Sequence, residues 1–194
     1  MYKLWCLLLA GIIITSAVGG AYAEPAKHDS YFINEDFENT EIGKTPDGFE
    51  ISAGSGSITV KEENGGHLLS VQGGEGEYVT VRKAFDEISG QVILFSIDFR
   101  SSDVKDDGQT IAELKNKDGK IISIQTKDGS IIYTRPYGMQ DTIVENYTVN
   151  TTYKIALSID LTTRSASVNV DSKRVLSEMP FLSETNSVSE FLSY

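Results

Sequence analysis

Tyr133, Arg135 and Tyr137 alternate with Thr134 and Pro136 in a short run that combines two phenol rings with a guanidinium. An aromatic ring stacks on the apolar face of a pyranose, and a guanidinium, or a nearby carboxamide such as Gln125, binds its hydroxyls; this run is therefore the candidate sugar-binding site. A Tyr or Lys base beside a cation would also suit a lyase, and Pro136 places the run in a loop or at a strand edge. Asp98 and Arg100 share one face of a strand, but a cation stands two residues on, where a retaining glycosidase needs a second carboxylate about 5–5.5 Å away. They read as an outward pair on a sheet. Nucleophilic triads have little to draw on, because the only histidines are His28, in a polar N-terminal segment, and His67, beside Gly65-Gly66, and no Gly-x-Ser-x-Gly elbow occurs. The stretch Asp103 to Gly108 is acidic but lacks the twelve-residue calcium-loop pattern, and reads as a solvated loop.

The elements that must hold these side chains are strands. Lys117-Asp118-Gly119-Lys120-Ile121-Ile122 is echoed ten positions later by Lys127-Asp128-Gly129-Ser130-Ile131-Ile132. Asp-Gly between β-branched runs is a strong hairpin signal, because glycine tolerates the positive φ that tight hairpin turns require. Period-two patterns surround the echo. Ile93, Phe95, Ile97 and Phe99 fall on one face of a strand, and Tyr153, Ile155, Leu157, Ile159 and Leu161 on one face of another. Val79, Val81 and Lys83 share a face in the run from Tyr78 to Phe85. Thr162-Thr163-Arg164 and Asp171-Ser172-Lys173 read as tight turns, and Tyr31 to Glu38 as an opening strand. Many short strands at 8–12-residue spacing, with no capped helical period, predict an all-β, antiparallel two-sheet jelly-roll sandwich. The run from Ser187 to Tyr194 enters a strand that stops abruptly, so one or two terminal strands are open to being absent.

Residues 1–23 read as a secretory signal peptide: Lys3 gives a positive start, Leu7 to Thr15 an apolar run, and Ala21-Tyr22-Ala23 a small-x-small cleavage site. The apolar run is shorter than the ~20 residues of a membrane span. Residues 24–30 form a polar, flexible segment, and residues 31–194 a single sandwich domain. The one Cys and the one Trp of the chain, Cys6 and Trp5, both lie in the leader, which leaves the remainder without disulfide, thiol nucleophile or cysteine metal site. This points to a bacterial, extracellular protein. The net charge of −11 becomes one unit more negative without Lys3, a field that repels phosphate backbones and anionic lipid. Nucleic acid and membrane insertion are excluded as expectations, and neutral glycans remain compatible.

Asp36-Phe37-Glu38 followed by Gly43-Lys44-Thr45-Pro46-Asp47-Gly48-Phe49 resembles the opening of concanavalin A-like, LamG-type jelly-roll modules of secreted bacterial polysaccharide-degrading proteins. Tyr153 to Asp160 with Ser167 to Asp171 is similar to the late hairpin of that family. The chain departs from the pattern at Phe49, where Trp is usual, and at Ser172, where Gly is usual. The resemblance implies a carbohydrate partner, a polysaccharide or oligosaccharide, and a structural calcium ion held by the acid of the opening strand, for which Glu38 is the best match, ahead of Glu35 and Asp36. Hydrolases of the family carry their carboxylates on one strand, and no such run occurs here. The resulting expectation is a secreted, non-catalytic carbohydrate-binding module accessory to polysaccharide degradation, with Tyr133, Arg135 and Tyr137 on the ligand. The alternatives are a glycoside hydrolase or polysaccharide lyase with an unrecognised site, and a structural cell-surface sandwich.

Overall fold

The computed structural model describes residues 3–8, 12–14, 32–33, 36–52, 56–63, 65–73, 79–102 and 108–194. The polar segment 24–30, Glu35 and residues 103–107 of the acidic loop lie outside these. The strands, in chain order, are β1 (Lys3–Leu8), β2 (Ile12–Ile14), β3 (Phe32–Ile33), β4 (Glu50–Ser52), β5 (Ser57–Glu63), β6 (Gly66–Gly73), β7 (Thr80–Ser89), β8 (Val92–Ser101), β9 (Thr110–Asn116), β10 (Gly119–Lys127), β11 (Ser130–Thr134), β12 (Gln140–Val144), β13 (Tyr153–Asp160), β14 (Ser165–Val170), β15 (Lys173–Pro180) and β16 (Ser187–Ser193). A 3-10 turn, Pro136–Gly138, joins β11 to β12. Among the described residues no helix is long and apolar enough to cross a membrane.

Two antiparallel sheets pack face to face. The first runs β15-β14-β13-β8-β1-β6-β5, with β2 also on β8 and β3 on β2; the second runs β12-β11-β10-β9-β16-β7-β4. The chain crosses between sheets from β3 to β4, β4 to β5, β6 to β7, β7 to β8, β8 to β9, β12 to β13 and β15 to β16, the alternation that makes a jelly-roll type of sandwich. β16 is hydrogen-bonded on both sides, to β7 and β9, so the strand that begins at Ser187 is a full member of the second sheet.

Alternation sets the core. Ile93, Phe95, Ile97 and Phe99 of β8 and Ile155, Leu157 and Ile159 of β13 point inward from the first sheet, and Val81, Leu114, Ile122, Ile124 and Phe191 meet them from the second. Phe95 and Phe191 approach to 5.6 Å between ring centroids across the interface of the sheets. Val79 and Val81 are buried, while the Lys83 ammonium lies 4.3 Å from the centre of the Phe49 ring, a cation–π contact.

The two echoed turns differ. In the β10–β11 hairpin Lys127 pairs with Ser130, and Asp128 and Gly129, with φ of 49° and 71°, form the two-residue loop the sequence predicts. In the β9–β10 hairpin Asn116 pairs with Gly119, so the loop is Lys117-Asp118, one residue earlier. The cause is Asn116: its Oδ1 accepts from Asp118 N (2.9 Å) and Gly119 N (3.1 Å), which closes the turn on the side chain. The Asp171-Ser172 loop keeps positive φ at both positions, 48° and 67°, so Ser172 adopts the geometry that glycine would give. The opening strand is shorter than Tyr31 to Glu38: β3 covers Phe32–Ile33, and Phe37 has φ of 62° and is buried in the core.

Candidate functional site

Because directly opposed residues of a ladder share a face, pairing across the second sheet defines its outer surface. One row reads Glu50, Arg82, Leu192, Glu113 and Ser123 across β4, β7, β16, β9 and β10. The next reads Ala84, Glu190, Lys115 and Lys120. Phe191 and Leu114, on the intervening positions, face the core. Thus the strands that bury one set of side chains present a charged set on the other face.

The charged groups interlock. Arg82 bonds Glu50 and, at 2.9 Å, Glu190. Lys115 Nζ reaches Glu190 Oε1 at 3.0 Å, directly across the ladder. Lys120 Nζ lies 2.6 Å from Glu113 Oε2 and donates to the Tyr194 hydroxyl at 3.2 Å, and that hydroxyl in turn donates to Glu113 Oε2 at 3.1 Å. Three cations therefore offset three carboxylates, two of which are well shielded: the side chain of Glu113 is 3% exposed and that of Glu190 12%. The shielded carboxylates, Glu113 and Glu190, are each held by charge-assisted contacts from neighbouring strands.

The protonation behaviour follows from the contacts. Hydrogen bonds from Arg82, with Lys115 behind it, hold the Glu190 carboxyl below its ordinary value despite burial, which acts the other way. The same contacts with Glu190 and Glu50 raise Arg82. Burial pulls the Lys120 ammonium down, but bonds to Glu113 and Tyr194 outweigh it and leave Lys120 above its ordinary value. Since Glu190 is lowered in the folded state, its contribution to stability is complete above the ordinary carboxyl value of 4.5 and is lost as pH falls through the lowered one. Glu190→Gln is expected to flatten the acid limb of stability against pH, read as urea midpoints between about pH 3 and 7. An unchanged slope below the carboxyl range would show that Glu190 carries no such linkage.

The residues singled out in sequence are placed elsewhere. Tyr133 is fully buried, points into the core and donates its hydroxyl to Pro180 O at 3.3 Å; burial, with Asp141 nearby, raises its hydroxyl above the ordinary value. Its ring is not accessible to a sugar, which corrects that expectation. Arg135 Nε sits 2.6 Å from Asp141 Oδ2 in a partly buried ion pair. Tyr137 is fully exposed at φ 62° in the 3-10 turn, an unfavourable backbone for a non-glycine residue. The structure does not gather these three around one surface. Gln125 does lie on the outer face of the second sheet, bonded to Thr134 Oγ1 at 3.0 Å. Asp98 and Arg100 face outward as expected, Asp98 paired with Lys154 at 2.8 Å and Arg100 with Glu63.

Glu38 Oε1 accepts the His67 N–H at 2.7 Å, and His67 Nδ1 lies 2.9 Å from Phe37 O. Among the described residues no three acidic, His or Cys side chains gather where they could hold a metal.

Glu113, Lys115, Lys120, Glu190 and Tyr194 belong to no motif of the sequence. The available signal was their spacing: Glu113/Lys115 and Glu190/Tyr194 alternate with core residues, so each pair lies on the polar side of its strand. What could not be read was that β9 and β16 are neighbours.

No protein family's sequence model matches the chain, and no curated protein matches it. Among solved structures, a sialidase superposes with a TM-score of 0.65 over 75% of this chain at 17% identity. The match takes in 13% of the sialidase chain. At that identity the likeness is one of fold: the chain is an all-β sandwich of a kind found within that larger protein.

Proposed function

We propose that the chain is a secreted, non-catalytic carbohydrate-binding module of the concanavalin A-like, LamG-type kind, accessory to polysaccharide degradation, and that its ligand lies across the outer face of the second sheet. One observation carries the reading: the ordered platform of Glu50, Arg82, Glu190, Lys115, Glu113, Lys120 and Tyr194 over β4, β7, β16, β9 and β10. The accessible groups, Glu50, Arg82, Lys115 and Lys120, would meet vicinal hydroxyls already held in place by the shielded Glu113 and Glu190, and the Tyr194 ring adds an apolar surface for a pyranose. The fold shared with part of a sialidase supports the carbohydrate reading. The platform's charges cancel within a chain of net charge −11, a combination that favours neutral over polyanionic glycans.

A second reading, a glycoside hydrolase or polysaccharide lyase, draws on Glu113 and Glu190, which stand on adjoining strands of one face beside the Tyr194 hydroxyl. The deciding experiment is a panel of neutral and acidic polysaccharides probed with the exported protein, with calcium and again with chelator. Neutral polysaccharide binding that falls at least about tenfold in Lys115→Ala and in Arg82→Ala, while cooperative melting persists, supports the proposal. Binding that survives both but is lost in Tyr137→Ala would move the site to the β11–β12 turn. A folded protein that binds nothing would leave a structural domain, and turnover of any polysaccharide would establish the enzyme reading.

A further inference from the structure

The outer row that holds Glu50, Arg82, Leu192, Glu113 and Ser123 does not stop at β10. Ile124 pairs with Tyr133, and both belong to the core, so Ser123 and Thr134 stand together on the outer face; Thr134 in turn pairs with Gln140 of β12. The row therefore crosses all seven strands of the second sheet. At about 4.8 Å per strand it spans roughly 29 Å. At its two ends the Glu50 side chain is 70% exposed and Gln140 is exposed. In the middle Glu113 and Ser123 are buried. The row is thus deepest at its centre and runs out to solvent at both edges of the sheet.

The chemistry changes along it. As far as Lys120 the charged side chains are ion-paired; beyond, Ser123, Gln125, Thr134 and Gln140 supply hydroxyls and carboxamides. Gln125 Nε2 donates to Thr134 Oγ1 at 3.0 Å, and Gln140 Oε1 accepts from Lys127 Nζ at 2.8 Å. A carboxamide has two N–H donors and a carbonyl acceptor with two lone pairs. Each of these two is held by one bond and keeps groups of both kinds: Gln125 one N–H and its carbonyl, Gln140 two N–H and a lone pair. A donor beside an acceptor is what neighbouring hydroxyls of a sugar take, and here it comes without charge.

We propose that Gln125, Thr134 and Gln140 form a second, uncharged half of the binding face, and that the whole face takes an internal stretch of a linear neutral polysaccharide laid across the strands, in preference to a chain end or a disaccharide. The proposal rests on the carbohydrate reading of this face. A ligand confined to the charged platform would gain nothing from β11 and β12, whereas a row open at both edges lets a polymer continue past it in either direction. Ion pairs that cancel in one half and carboxamides in the other leave no local charge for a uronic acid to seek.

The test titrates the exported protein with β-linked gluco-, xylo- and manno-oligosaccharides of two and six units, and with the corresponding polymers. For the sugar that binds, six units are expected to bind at least about tenfold more tightly than two, and the polymer to compete as well as the six-unit chain, weight for weight. Gln125→Ala and Gln140→Ala are each expected to weaken six-unit binding about three- to tenfold with cooperative melting kept, so that the advantage of six units over two shrinks. Lys115→Ala is expected to weaken short and long chains alike. Two- and six-unit chains that bind equally, or six-unit binding indifferent to both glutamine variants, overturns the proposal and leaves the carbohydrate reading standing. A folded protein that binds neither these sugars nor any polysaccharide removes that reading, and the proposal with it.

Discussion

Phe191→Ala is expected to lower the unfolding free energy by about 3–5 kcal/mol, and the melting temperature by roughly 10 °C. Phe191 is 1% exposed and sits on β16, an interior strand of the second sheet, with its ring centroid 5.6 Å from that of Phe95 on the opposite sheet. Truncation there removes the transfer energy of a whole ring and leaves a cavity that two hydrogen-bonded sheets cannot close, because ladders on both sides of β16 and β8 hold the backbones apart. Leu192→Ala, one residue on and on the outer face, serves as the comparison and is expected to cost markedly less. Equal losses at the two positions, measured by urea unfolding, would show that the assignment of faces along β16 is wrong.

Lys120→Met tests the platform. It deletes the cation 2.6 Å from Glu113, whose side chain is 3% exposed and would be left with the Tyr194 hydroxyl. Removing one partner of a fully buried pair costs 3–5 kcal/mol, but the Lys120 side chain is 51% exposed, and solvent screens part of the interaction; a loss of about 1–3 kcal/mol is expected. The double variant Lys120→Met/Glu113→Leu is expected to recover most of it, since no charge is then stranded. A double variant as unstable as Lys120→Met alone would mean that Glu113 supports the sheet by something other than its ion pair.

The fold was legible where the chain alternates. Ile93 to Phe99 and Ile155 to Leu161 each commit one face to the core, so strand identity and orientation follow from composition. The Tyr133 expectation failed where alternation lapses: Ile131, Ile132 and Tyr133 are all buried, and a run apolar on both faces does not disclose which side is in. The turn at Lys117-Asp118 was missed by one residue because Asn116 lies outside the Asp-Gly signal and acts through its side chain. The platform was illegible for a different reason. Arg82 and Glu190 are 108 positions apart, and their contact depends on the order of strands in the second sheet, which no local pattern encodes.

That order bears on how the molecule is made. β16 stands between β7 and β9, so the second sheet cannot close until a strand some 108 positions beyond its partner is available. Loops of that span are entropically slow to form, and folding dominated by such pairings takes milliseconds to seconds rather than microseconds. During synthesis, too, the second sheet stays open between β9 and β7 until β16, after nearly all of the described sequence, has emerged.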